Sequence, residues 1–199
     1  MPELRSVCLY AGSSTGTDPT YAEAAARLAR LLADRGIGVV YGGASVGLMG
    51  VLADAAMDAG GEVVGVLPRA LQSREIGHRE LTRLEVVETM HERKARMAEL
   101  SDAFIALPGG VGTLEEVVEA LTWTMLGIHL KPVGLLNVGG YYDLLEGFLD
   151  GARDQRFLKP EHRALVLSDG DPATLVERLT QWEPVHASRW TPAETPPAA

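Results

Sequence analysis

Two short segments of the chain carry side chains that could do chemistry. Residues 108–116 read PGGVGTLEE, and residues 90–100 read MHERKARMAEL. In the first segment, glycines let the backbone approach a ligand closely and adopt left-handed conformations. The N–H groups at the start of the following helix offer a seat for an anion such as phosphate. Two carboxylates, Glu115 and Glu116, come next. Glu116 has two readings: a carboxylate facing a ligand, or the N3 residue of a capping box opened by Thr113. In the second segment, a turn of about 100° per residue sets Arg93 between Met97 and Leu100 on the apolar stripe, with Lys94 at its margin. A buried arginine requires an anionic partner. Glu116 and a ligand phosphate are the candidates; an ordinary structural Arg–Glu pair, or an arginine that snorkels to solvent, is the plain alternative. Glu92 has a structural account of its own, as N3 of a capping box with Thr89 and an i,i+4 partner of Arg96. An arginine beside a glutamate, under a phosphate loop, suits cleavage of an N-glycosidic bond. The transition state of that reaction resembles an oxocarbenium ion, which a carboxylate can stabilise or attack. The carboxylate could also orient water.

The elements that must position these residues alternate along the chain. Apolar runs predict strands over 6–11, 38–41, 62–67, 83–87, 103–107 and 132–136, and a short edge strand at 166–167. Helical spacing predicts helices over 20–35, 48–59, 90–100, 113–125, 142–154 and 172–181, with Gly36 as the stop of the first. Residues 68–79 lack a period and read as a long loop. This alternation predicts an α/β fold, doubly wound, with a mainly parallel sheet and helices on both faces. Ligands in such sheets sit outside the carboxyl ends of the strands. Three of those ends carry small-residue loops: Gly12-Ser13-Ser14, Gly42-Gly43-Ala44-Ser45 and Pro108–Thr113. Their convergence points to a small-molecule phosphate or nucleotide.

Composition narrows the field. The chain has 199 residues, 46% hydrophobic and 23% charged, as expected of one globular domain. Residues 1–183 read as that domain. Residues 184–199 are proline-rich, without period, and read as a disordered tail. A net charge of -9 argues against a nucleic-acid partner. No run reaches the ~18 apolar residues of a membrane helix, and the N-terminus carries no signal-like run, so no membrane partner and a cytoplasmic location are expected. Cys8 is the only cysteine, which excludes a disulfide within the chain and fits a reducing compartment. The five histidines lack metal-ligand spacing, so no metal is expected. No Gly-Lys pair exists, which excludes a Walker A loop, and neither GSSTGT nor GGASVG has the dinucleotide spacing. Only Lys94, Lys131 and Lys159 could form a Schiff base, and none looks dedicated to that purpose.

Three segments together, GGASVGLMG (42–50), the M-x-x-R-K run (90–94) and PGGVGTLEE (108–116), resemble the Lonely Guy family of cytokinin-activating phosphoribohydrolases, often mislabelled lysine decarboxylases. The resemblance spans roughly residues 5–181. It implies a Rossmann-like fold and hydrolysis of N6-modified adenosine 5′-monophosphates to free base and ribose 5-phosphate, with no cofactor. It implies catalytic roles for Arg93 and Glu116. It implies substrate contacts at Met90 and Lys94, at Pro108, Gly109, Gly110, Val111, Gly112, Thr113, Leu114 and Glu115, and at Glu75. Gly12, Ser13 and Gly43 fall in the loops expected to line the pocket. Thr122 matches a contact made across a dimer, so a homodimer with shared active sites is expected. The helix over 113–125 fits this, being apolar around much of its girth (Val117, Val118, Leu121, Trp123, Met125). One departure is Ala44, where many relatives have glycine; a methyl should have a small effect. The contrasting reading is a carrier of the molybdenum-cofactor type, which would hold a phosphorylated ligand without turnover.

Overall fold

The computed structural model describes residues 4–72, 77, 78 and 80–184. Seven strands, β1 (Ser6–Tyr10), β2 (Gly38–Tyr41), β3 (Val63–Pro68), β4 (Arg83–Val87), β5 (Ala103–Ala106), β6 (Val133–Leu136) and β7 (Val166–Asp169), form one sheet. Their order is β4-β3-β2-β1-β5-β6-β7, and every pairing is parallel. The order reverses between β1 and β5, which is the switch point where loops diverge and a ligand crevice opens.

Among the described residues the helices are α1 (Pro19–Asp34), α2 (Gly47–Asp58), α3 (Arg69–Gln72), α4 (Met90–Glu99), α5 (Val111–Met125), α6 (Asp143–Asp154), α7 (Pro160–Arg163) and α8 (Pro172–Thr180). Caps set their starts. Asp18 accepts from the Thr20 N–H ahead of Pro19, and Asp171 accepts from Ala173 and Thr174 N–H ahead of Pro172. Gly36, at φ 68°, ends α1 as the sequence suggests. The period-2 alternation of β1 splits the core in two. Val7 and Leu9 pack with α1, α2 and α8; Cys8 and Tyr10 pack with α4 and α5 on the other face. Both clusters are apolar and closed, as parallel strands require.

Element types agree with the sequence reading except for the one-turn helix α7, which it did not include, and most ends agree within two residues. Three differences matter. The stretch 68–79 contains the short helix α3, and the rest of it is described only at residues 77 and 78. Helix α5 begins at Val111, two residues before the expected Thr113. Between β6 and α6 lies a single 3-10 turn, Val138–Gly140. Glu75 and the tail from residue 185 onward lie outside the described residues. Among the described residues, no helix is long and apolar enough to cross a membrane.

Candidate active site

At the carboxyl edge the loops after β1 and β5 lean on each other. The Gly12 N–H donates to the Pro108 carbonyl at 3.1 Å, and a Cβ at Gly12 would press tightly on Ser14, Gly109 and Pro108. The loop after β2 joins them: the Leu48 N–H donates to the Gly12 carbonyl at 3.0 Å. Gly47, at φ 61°, lies so close to Ser13 that a Cβ would overlap its backbone. Together they wall a cleft of about 280 Å³, lined by Gly12–Gly16, Tyr21, Leu48, Pro108–Gly110 and Tyr141. Of the predicted contacts, Gly12, Ser13, Pro108, Gly109 and Gly110 line it. Val111 and Gly112 follow at the exposed N-terminus of α5, and Thr113 is buried with its side chain against Gly109.

Thr113 does not cap α5. The cap is Gly110, whose backbone is extended and which offers no side chain, so the first-turn N–H groups of α5 lack a side-chain partner at the cap. Glu116 then sits in the second turn, and the capping-box reading of Glu116 is wrong because the helix starts earlier than its apolar period suggests. The other box holds: Thr89 accepts from the Glu92 N–H at 3.1 Å, and Glu92 accepts from the Glu88 N–H at 2.8 Å. The expected Glu92–Arg96 pair is replaced by Arg96 with Glu85 and Glu99, because β4 brings Glu85 within 2.7 Å.

Glu116 instead faces Arg93. The Arg93 Nη1 lies 3.3 Å from Glu116 Oε1, and its Nε donates to the Val66 carbonyl at 3.2 Å. Arg93 is only 8% exposed. Its guanidinium lies directly over Gly42, where any Cβ would overlap it. Burial pushes the Glu116 carboxyl above the usual carboxylate range, and the Arg93 charge opposes this. Burial and the Arg93 charge thus act on Glu116 in opposite directions, with burial the larger effect.

Lys94, 7% exposed, turns to the same helix but to other partners. Its Nζ pairs with Glu115, and with Glu119 at 3.0 Å. The described geometry thus gives Lys94 and Glu115 to each other, not to the cleft. Met90 places its sulfur 4.0 Å from Arg93 Nη1. Gly43, at φ 75°, is packed under Leu84 and Leu67, and its carbonyl accepts from the His78 N–H at 2.9 Å; it supports the cleft from below. Ala44 is accommodated: it bridges to Gly77, and it is not among the residues with positive φ. Leu114 is exposed, and Thr122 lies on the same open side of α5, its hydroxyl donating to the Val118 carbonyl. Ser14, in the first of the small-residue loops, also lines the cleft; sequence reasoning missed Thr15, Gly16, Tyr21, Leu48 and Tyr141. The signal for Tyr141 was present as Gly-Gly-Tyr-Tyr at 139–142, two left-handed glycines that turn two aromatics back over the sheet.

Neither remaining lysine reaches this edge. Lys131 immediately precedes β6, so it lies at the amino end of the sheet, where its Nζ donates to the Ala98 carbonyl at 2.6 Å. Lys159 caps α7 and is exposed.

A parallel sheet wound in both directions, with an open helix N-terminus at its switch point and a buried carboxylate–guanidinium pair one turn further on, defines a Rossmann-like protein built to hold and act on an anionic small molecule. Comparison with known proteins narrows the class. Residues 49–179 match a family model described as "possible lysine decarboxylase". A rice protein named as a probable cytokinin riboside 5′-monophosphate phosphoribohydrolase, LOGL9, is 50% identical over 182 residues, which are 92% of this chain and 80% of that protein. The Arabidopsis thaliana cytokinin riboside 5′-monophosphate phosphoribohydrolase LOG7 is 49% identical over 91% of this chain and 83% of its own. The chain belongs to this family of phosphoribohydrolases, the Lonely Guy family. The molybdenum cofactor carrier protein of Chlamydomonas reinhardtii has the same fold, with a TM-score of 0.66 over 88% of this chain and 98% of its own, at 24% identity. That likeness extends to the fold alone.

Proposed function

We propose that this protein hydrolyses the N-glycosidic bond of N6-modified adenosine 5′-monophosphates, releasing the free base and ribose 5-phosphate. The observation that carries this reading is the buried Arg93–Glu116 pair beside the open N-terminus of α5, in a chain half identical to enzymes named for that reaction. The 5′-phosphate takes the N–H groups after Gly110. Helix geometry puts Glu116 about 9 Å further along the axis, a ribose-sized step from the anion seat. As the bond from C1′ to the base breaks, positive charge grows on the sugar and the Glu116 carboxylate meets it. Arg93 keeps that carboxylate ionised against the cost of burial and fixes its direction. A water oxygen ends on C1′, and its proton leaves with the base.

The test is chromatographic. The protein is incubated with isopentenyladenosine 5′-monophosphate and, in parallel, with AMP. Free base and ribose 5-phosphate in equal amounts are expected. Nucleotide that binds but stays intact would overturn the hydrolase and favour the carrier.

The reading includes a second copy of the chain. Val111 is 85% exposed, and Leu114, Val118 and Leu126 are exposed on the same helix whose other side, Val117, Ala120 and Leu121, is core. An apolar face of that extent needs a cover. Thr122 lies about 18 Å along α5 from Gly110, so a substrate contact by Thr122 falls in the other subunit's site. Val118→Asp is expected to yield monomers by light scattering and to lower turnover at least tenfold. A fully active monomer would remove the shared-site part of the proposal.

A further inference from the structure

Tyr141 and Tyr142 reach back from the β6–α6 connection and take carbonyls of the loop after β5. The Tyr142 hydroxyl donates to the Leu107 carbonyl at 2.5 Å, and the Tyr141 hydroxyl donates to the Gly109 carbonyl at 2.5 Å. The carbonyl between them, Pro108, accepts from the Gly12 N–H, and the next, Gly110, accepts from the Leu114 N–H. Four consecutive carbonyls, 107 to 110, thereby each have a donor from the protein itself. A carbonyl oxygen facing an anion repels it, whereas an N–H attracts it.

One of these peptide units is free to turn the wrong way. The carbonyl of Gly109 and the N–H of Gly110 belong to the same planar unit and point in opposite directions. With glycine on both sides, no Cβ of its own restricts rotation of that unit, although Gly109 is packed against Thr113 and Gly12. Tyr141 holds it. The Tyr142 backbone N–H donates to Asn137 Oδ1 at 2.7 Å, and the Asn137 amide donates to Asp143 at 2.8 Å, so the connection carrying both tyrosines is itself tied to the start of α6. Tyr141 packs edge-on against Tyr21 of α1 and Tyr142, with ring centroids 5.5 and 5.1 Å away. The hydroxyl is thus aimed by rigid neighbours while the ring forms a wall of the cleft.

We infer that Tyr141 is a positioning residue that sets the polarity of the Gly109–Gly110 peptide, and through it the preference of the site for a 5′-phosphate over a free 5′-hydroxyl. The inference rests on the phosphoribohydrolase reading above. Tyr141 touches the backbone, not the bond that breaks, so its effect falls on binding of the phosphate and not on turnover of bound substrate.

The experiment compares wild type with Tyr141→Phe, which keeps the ring and removes only the hydroxyl. Inorganic phosphate binding is measured by titration calorimetry, and KM and kcat are measured with the nucleotide and with its unphosphorylated nucleoside. Losing one charge-assisted hydrogen bond is expected to weaken phosphate binding and raise nucleotide KM about tenfold. kcat should stay within a factor of about three, and nucleoside binding and the melting midpoint should be nearly unchanged. Tyr141 is 40% exposed, so the variant is expected to fold. Equal phosphate binding by variant and wild type would overturn this inference alone. A matching loss for nucleoside and nucleotide would assign Tyr141 a purely packing role and overturn it as well. A wild type that binds no phosphate would overturn both this inference and the function it rests on.

Discussion

The site has two halves that use the same sheet edge differently. On the α4–α5 side, Arg93 and Glu116 are side chains, charged, buried and paired at 3.3 Å. On the α1–α6 side, the cleft around Gly12 and Gly109 is backbone, uncharged, and shaped by turned peptides and a tyrosine wall. The first half holds the groups that can titrate and carry charge to a reacting bond. The second can only hold, because backbone groups do not titrate. In the proposed reaction, specificity for an anion and catalysis on the neighbouring sugar rest on separate residues, so substitutions in one half should leave the other intact.

The strongest break of that division is Glu116→Gln. Hydrolysis should fall about a thousandfold while phosphate affinity stays within about twofold of wild type. Loss of both in the titration would mean that the two halves are one. Gly42→Ala comes next. Its methyl displaces the Arg93 guanidinium without touching the cleft, so kcat should fall by about 10- to 100-fold with KM for nucleotide little changed. An unchanged kcat would show that the position of Arg93 is not critical.

The smallest effect expected is a shift of the pH profile. Burial raises the Glu116 pKa, so the acid limb of kcat/KM should lie above the ordinary glutamate value of about 4.3, with activity lost as pH falls and the carboxylate gains its proton. Lys94 lowers that pKa, while Glu115 and Glu119 raise it. Lys94→Met should therefore move the limb to higher pH. A limb unmoved, or moved down, would show that Lys94 does not act on Glu116 through charge.

Much of this was legible in the residues. The helical period of 90–100 put Arg93 among Met97 and Leu100, and an arginine on a core stripe must find an anion. The residues alone left Glu116 and a ligand phosphate as its candidate partners; the fold gives Arg93 to Glu116 and sends Lys94 to Glu115 and Glu119. The start of α5 was misplaced because glycines carry no hydrophobic signal, so Gly110 as cap and Val111 as first residue leave no trace in a pattern of apolar side chains. Tyr141 was missed for a related reason. It lies 32 residues from Gly109 and meets it only because β5 and β6 are neighbours.

By itself, then, the sequence determined the alternation of strands and helices, the residues that face the core, and the segments that bear chemistry. These follow from local periodicity and from the cost of burying charge. Only the tertiary structure decided which carboxylate meets which cation and which way the peptides of the loop after β5 face. Those choices depend on strand order and on contacts between residues far apart in the chain, where no local pattern reaches.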